Sequence, residues 1–361
     1  MSDKIRLFTT FSGYDSQAMA LNTTWLDYDF VGYSEIKPMA IKAHERLFPG
    51  VPNFGDISKI DWAQVPDFDI FTYSFPCQDL SVMGKRKGMS KDSGTRSSLL
   101  WECAKAIETK RPRYLISENV PQCVNADLVP WLRFLTEHGY VTTIITSDAY
   151  DHGSLQHRKR TFFLSRPEAM GFPHPLIRPR ERQSWEDVIE FERLEATDVY
   201  DEEVRRHNKP TSLARLTSMV RRDVYVVNGT KDGGCRTLVE HSDDNSLLSS
   251  PLHYQRLRLL RLLPGGKYCY RKLTGRESLR LQGVREDNIY EMLKCVTDVQ
   301  ASRLAGDSIN ILQLSDMMVA LIDYKRKASP AVTLNDLLYG VKALFFNLSK
   351  GDIKDIRDDE D

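Results

Sequence analysis

A cysteine held just past a strand can act as a nucleophile, and Pro76-Cys77-Gln78 has that form. Asp69 to Tyr73 reads as a strand. The proline then fixes φ and removes a donor, which holds a sharp exit and presents Cys77 at the edge of the sheet. An isolated Pro-Cys is more often a buried structural thiol, so its neighbours in the fold must decide. Gly84-Lys85-Arg86-Lys87-Gly88 is a cationic loop bounded by glycines. It suits closure over a polyanion, or else is an ordinary solvated loop. Glu118-Asn119-Val120 ends an apolar strand, Tyr114 to Ser117, where an unpartnered carboxylate is costly to bury. Taken alone, Glu118 could equally cap a helix. In Gln156-His157-Arg158-Lys159-Arg160, strand alternation puts Gln156, Arg158 and Arg160 on one face. That face is a fork for phosphate or carbonyl oxygens, or a plain basic edge.

These residues need a scaffold, and the chain supplies strands alternating with helices. Strands are expected at Ile5 to Thr10, Phe30 to Ser34, Asp69 to Tyr73, Tyr114 to Ser117, Val141 to Ser147 and Arg160 to Ser165. Helices are expected at Ser16 to Leu26, Lys37 to Leu47, Ser97 to Thr109 and Leu128 to His138. Pro52 to Asp56 has the sense of a short strand end. This alternation implies an α/β fold with a parallel sheet and helices on both faces. Ligands in such sheets lie beyond the carboxyl ends of the strands, where Cys77 and Glu118 fall. The pattern breaks near Arg166, among Pro167, Pro173, Pro175 and Pro179. Irregular β structure is expected around Asp223 to Val227, and helices return from Gly275 to about Lys327.

Ordered motifs give the chain a resemblance to the DNA (cytosine-5-)methyltransferases of bacterial and phage type. They are Phe11-Ser12-Gly13, Glu35, Asp56-Ile57, Pro76-Cys77-Gln78, Gly94-Thr95-Arg96-Ser97 and Glu118-Asn119-Val120. Gln156-x-Arg158-x-Arg160, Arg271 through Gly283 and Gly306-Asp307-Ser308-Ile309 complete the set. Each motif is weak, but their order over residues 5 to 320 is very specific. The sequence departs from the family pattern at Tyr14-Asp15-Ser16, where further glycines are usual. It departs again at Ser74, at Asp307 where Asn is common, and at Val284-Arg285.

The resemblance implies a Rossmann-like S-adenosylmethionine-dependent methyltransferase domain, mostly parallel, with a smaller irregular target-recognition domain. Cys77 would add as thiolate to carbon 6 of cytosine, making carbon 5 nucleophilic. Glu118 would hold the ring N3 and exocyclic amine, which requires it to be protonated or to share a proton. Arg160 would contact the cytosine O2, with Arg158 beside it. For S-adenosylmethionine, Phe11 would pack on the adenine, Glu35 would take the ribose hydroxyls, and Asp56 and Ile57 the adenine amine and face. Gly13 would let the backbone approach the methionine part. Pro76, Leu99, Asp307 and Ser308 would complete the pocket. The product is S-adenosylhomocysteine, and no metal is expected, since the six cysteines form no Cys-x-x-Cys.

On the resemblance, residues 1–165 and 271–325 form the catalytic domain, 166–270 the target-recognition domain and 326–361 a C-terminal helical extension with an acidic tail. Ser81, Lys85, Lys87, Asn119, Gln156, Arg236 and Thr237 are the candidate DNA contacts, with Gly233 to Thr237 as a base-reading loop. The partner implied is double-stranded DNA, with a cognate restriction endonuclease as a second candidate. The alternatives are a tRNA cytosine-5 methyltransferase, or a silent DNA-binding homologue. Retention of Cys77, Glu118, Arg158 and Arg160 together argues against the silent form, and the long 166–270 segment favours duplex DNA.

Composition sets the outer bounds. The chain has 361 residues, 41% hydrophobic and 28% charged, the balance of a globular protein of about two domains. No apolar run approaches the roughly 20 residues that cross a bilayer, and no signal-peptide core follows Met1. A monomer in the cytoplasm, with reduced thiols and no membrane partner, is expected. Fifty basic residues cancel fifty acidic ones, which at first argues against a polyanionic partner. The charges are segregated, however. Acid gathers in Glu181 to Glu203 and the C-terminal tail, base in Lys85 to Lys87, Arg158 to Arg160, Arg205 to Arg222 and Arg256 to Arg280. A cleft of one sign attracts DNA whatever the total.

Overall fold

The computed structural model describes residues 4–74, 99–125, 128–192, 218–221, 224–227, 235–236, 258–263, 267–322 and 342–347. The chain runs β1 (Ile5–Thr10), α1 (Ser16–Asn22), β2 (Tyr28–Ser34), α2 (Pro38–Leu47), β3 (Ile70–Tyr73), α3 (Leu100–Lys110), β4 (Tyr114–Asn119), α4 (Val129–Glu137) and β5 (Tyr140–Asp148). Then come β6 (Gln156–His157), β7 (Lys159–Pro167), α5 (Trp185–Val188), β8 (Ser218–Arg221), β9 (Val224–Val227), β10 (Cys235–Arg236), β11 (Arg258–Leu263) and β12 (Lys267–Lys272). The last elements are α6 (Gly275–Leu281), α7 (Glu286–Met292), α8 (Asp298–Asp307), α9 (Ile311–Ile322) and β13 (Ala343–Asn347).

Seven strands form the main sheet in the order β13-β5-β7-β4-β3-β1-β2. All its pairings are parallel except those of β7, which lies antiparallel between β4 and β5. The α/β class and mostly parallel sheet match the expectation. β7 runs backwards because only a short 3-10 turn and β6 separate it from β5, too little for a crossover helix. Strand order reverses between β1 and β3, so a crevice opens past their carboxyl ends.

Alternation along the strands builds two cores. Leu7, Ile70, Ile116, Ile145 and Phe162 face one cluster, with α1, α8 and α9. Phe8, Phe71, Leu115, Ile144 and Phe163 face the other, with α3 and α4. Apolar residues on both faces explain the unbroken apolar runs of these strands.

Several boundaries differ from expectation for local reasons. Helix α1 stops at Asn22 rather than Leu26, because the Thr23 and Thr24 hydroxyls take the Ala20 and Leu21 carbonyls. Pro52 to Asp56 makes only a single bridge, Tyr33 to Asn53. β4 runs on through Glu118 and Asn119, because β7 pairs with both. Residues 326–361 were expected to be helical; their described part is instead β13, paired in parallel with β5. The rest of that extension lies outside the described residues.

Residues after Arg166, up to about 190, pack on helices α6 and α9. Arg178 donates to Asp316 at 2.7 Å, Arg180 also pairs with Asp316, Gln183 donates to the Arg280 carbonyl, and the Glu190 amide to Glu277. Further along, β12-β11-β9-β8 form a small antiparallel sheet of their own. Among the described residues no helix is long and apolar enough to cross a membrane.

Candidate active site

The loop after β1 meets the loop after β2. Gly13 has φ 58, a left-handed value that favours glycine. Its amide donates to Glu35 Oε2 at 2.8 Å. Glu35 Oε1 accepts the Ile36 and Lys37 amides at 2.8 and 2.9 Å. Asn53 braces the same turn, accepting the Glu35 amide and donating to the Glu35 carbonyl. A carboxylate has about four lone-pair sites, so Glu35 keeps one on Oε2 for a hydroxyl. Ile36 beside it is 65% exposed and offers an apolar surface that sequence reasoning passed over. An exposed isoleucine before a helix gives no signal of its own in sequence.

The 306–308 segment lies against this corner. Lys37 Nζ lies 2.5 Å from Asp307 Oδ2. The Tyr14 hydroxyl donates to Ser308 Oγ at 2.8 Å, and burial pushes that phenol well up, keeping it a neutral donor. Arg158, 2% exposed, donates to the carbonyls of Gly306 and Ser308 at 3.1 and 2.7 Å. It therefore ties the Gln156–Arg160 run to the 306–308 segment. Lys37 and Tyr14 carried no signal in sequence, because their partners lie 270 and 294 residues away.

Asp56 caps a 3-10 turn over Ile57–Lys59. Its Oδ1 accepts the Ser58 hydroxyl and amide at 2.8 and 3.0 Å. Those bonds, with Lys59 nearby, hold the carboxyl below the ordinary aspartate value. Ile57 is only 5% exposed and packs in the core cluster of Phe8 and Phe71, with Phe11 and Leu99 at its rim. The three apolar candidates therefore share one cluster.

On the catalytic side, Arg160 Nε lies 2.8 Å from Glu118 Oε1 on the neighbouring strand. Asn119 is buried, and its Oδ1 accepts the Val120 amide. Asp148 arranges the arginine run: it accepts the Arg158 amide at 2.8 Å and lies 3.2 Å from His157 Nδ1. β3 ends at Tyr73, and Pro76, Cys77, Ser81, Lys85 and Lys87 lie outside the described residues, as does Gly94 to Ser97.

Of the expected DNA contacts, Gln156 is buried, and β6 pairs in parallel with β10, opposing Gln156 to Cys235 and His157 to Arg236. Gly233 to Thr237, expected to be a loop, thus contains a short strand; Thr237 lies outside the described residues. The basic block to Arg280 also changes meaning at its end. Arg276 and Arg280 both pair with Glu286, and Arg276 lies near Glu190, so these two brace helices. Burial pushes the Cys103 and Cys235 thiols well up, and to a lesser degree that of Cys295. These thiols are structural rather than poised as thiolates.

Residues 5–322 match the family model described as C-5 cytosine-specific DNA methylase. The chain is 29% identical over 381 residues to the type II methyltransferase M2.ScrFI of Lactococcus lactis subsp. cremoris, covering 88% of this chain and 99% of that protein. It is 37% identical over 136 residues to the orphan methyltransferase M.Rho11sI of Bacillus phage rho11s, covering 37% of this chain and 26% of that one. Its fold resembles that of the Entamoeba histolytica methyltransferase EhMeth, with TM-score 0.69 at 14% identity, over 90% of this chain and all of that one.

Proposed function

This chain belongs to the C-5 cytosine-specific DNA methylase family and is an enzyme of DNA methylation; from that premise we propose the reaction and its residues. It transfers a methyl group from S-adenosylmethionine to carbon 5 of a flipped-out cytosine in a specific double-stranded DNA sequence. Flipping costs a few kcal/mol.

The residues present fit the cofactor. The free lone pair of Glu35 suits a ribose hydroxyl, the exposed Ile36 and half-buried Phe11 suit a flat adenine, and Asp56 suits its amine. Gly13, Pro76, Leu99, Asp307 and Ser308 would complete the holding set. When bound, S-adenosylmethionine supplies an electrophilic methyl group on a sulfonium.

Cys77 forms a bond from its sulfur to carbon 6, and the ring's electron pair shifts toward carbon 5. Glu118 holds N3 and the exocyclic amine, and Arg160 holds O2, so charge built on the ring is met on two sides. A base, such as a water molecule, takes the carbon 5 proton; its bonding pair re-forms the carbon 5–carbon 6 double bond, and the sulfur–carbon 6 bond breaks to return Cys77 as thiolate. Ser81, Lys85, Lys87, Asn119, Gln156, Arg236 and Thr237 are the proposed DNA contacts. The enzyme acts as a monomer in the cytoplasm, alone or beside a restriction endonuclease.

The observation that carries this reading is the Glu118–Arg160 contact. It sets a carboxyl and a guanidinium side by side at the carboxyl end of β4, where a pyrimidine edge needs both. The test is incubation with tritiated S-adenosylmethionine and either duplex DNA or tRNA, with Cys77→Ser alongside. Label in duplex DNA, absent with the serine variant, is expected. Label in neither substrate, or equal label with the variant, would overturn the mechanism. Label in tRNA alone would favour the tRNA enzyme.

A further inference from the structure

A non-glycine residue with left-handed backbone is uncommon and needs a local reason. Asp15 has φ 69 and ψ 58, and its side chain is fully buried. It ends the loop that starts at Phe11, in which Phe11, Gly13 and Asp15 all have positive φ. The Asp15 amide donates to the Ser12 carbonyl at 2.8 Å, which closes the turn.

Its carboxylate joins three elements. Oδ1 accepts the Ala18 amide of α1 at 2.9 Å. Oδ2 accepts the Thr9 hydroxyl of β1 at 2.6 Å and lies 3.2 Å from His44 Nε2 of α2. His44 is itself fully buried, stacked flat on Tyr33 at 3.5 Å and flanked by Phe30 and Phe48. Tyr33 in turn pairs with Thr9 across β1 and β2. A buried carboxylate is tolerated only when satisfied; the Thr9 hydroxyl and the Ala18 amide donate to it, and His44 Nε2 lies close by. A helix cap would need only the bond to Ala18; Thr9 and His44 go beyond that role.

The other side of the loop is held by Glu35, through the Gly13 amide. Two buried carboxylates thus fix the loop, Glu35 through the Gly13 amide and Asp15 through its own contacts. We propose that Asp15 is a positioning residue for the cofactor: its contacts with Thr9, His44 and Ala18 impose the backbone shape that Phe11 and Gly13 present. It touches no ligand itself. This rests on the methyltransferase reading above.

The test is calorimetric titration of the full chain with S-adenosylhomocysteine, beside thermal melting by circular dichroism. Asp15→Ala should weaken binding about tenfold, the size of one lost hydrogen bond to a charged group. Asp15→Asn, which keeps the shape, the tolerance of left-handed backbone and an acceptor, should restore binding to within about threefold. Thr9→Val, which keeps the β-branched shape and removes the donor, should weaken binding about threefold with the fold intact. Wild-type affinity in both Asp15→Ala and Thr9→Val would overturn the proposal. So would losses that follow only the fraction unfolded, with Asp15→Asn no better than Asp15→Ala. If Asp15→Ala does not fold, Thr9→Val and Asp15→Asn decide alone. A wild-type chain that binds no S-adenosylhomocysteine would overturn the methyltransferase reading itself.

Discussion

Arg160 Nε sits 2.8 Å from Glu118 Oε1, with the arginine side chain 15% exposed and the glutamate 12%. Each group is the other's nearest charge partner in the described site, so neither can be changed in isolation. Glu118→Gln and Arg160→Ala should each lower kcat by about 10²–10³, the usual loss for one group that meets transition-state charge. The double variant should be little worse than the poorer single one, because the two act as a unit. Single-turnover methyl transfer with saturating DNA measures this; fully multiplicative losses would show independent roles.

Asp56 makes a pH prediction. The Ser58 hydroxyl and then the Ser58 amide stabilise its charged form, below the ordinary 3.8. A depressed folded-state pKa means the ionised contribution is complete above 3.8 and is lost as pH falls through the lower folded value. Asp56→Asn should weaken S-adenosylhomocysteine binding about tenfold. The ratio of the two dissociation constants should be the same at about pH 8 and about pH 5. A ratio that falls toward one at the lower pH would place the titration of Asp56 higher than its contacts allow.

Asp316 should prove a keystone of stability. Its side chain is fully buried and meets His152 Nδ1 at 2.7 Å, Arg178 at 2.7 Å and Arg180. Asp316→Ala leaves two guanidiniums without their anion, which costs about 3–5 kcal/mol for a buried pair. Asp316→Asn keeps the acceptor and should cost less. Urea unfolding separates the two, and equal midpoints for wild type and Asp316→Ala would show that the arginines find water instead.

Gly275 is fixed by close approach. A Cβ there would stand 2.4 Å from the Asp298 carbonyl oxygen and 2.6 Å from the Ala301 Cβ. Gly275→Ala must push α6 from α8, at about 1–3 kcal/mol. A lowered melting temperature with unchanged products is expected; an unchanged one would mean that the two helices slide apart freely.

What could be read in sequence followed what is local. Ile5–Thr10 has its expected bounds because its apolar pattern and the turn at Phe11-Ser12-Gly13 both lie within it or beside it. The α/β class followed from the strand–helix alternation, and ordered motifs singled out Glu118 and Arg160 one by one, though not their contact. The Asp316 cluster was invisible, since Arg178 and Asp316 lie 138 residues apart and each alone resembles a surface charge. Glu118 was placed past its strand, because only β7, later in the chain, extends β4 to Asn119. Ala343–Asn347 was read as helical for the same reason: its strand character is conferred by β5.

The family match stops at residue 322, yet one of the two edge strands of the sheet is β13, five residues that pair with the nine-residue β5. A ribosome therefore delivers this edge strand after the six strands it joins. Until Asn347 has emerged, β5 has one open edge, a template for pairing with other nascent chains. A chain cut after residue 322 would keep every residue of the proposed site and still be the form most exposed to aggregation during synthesis.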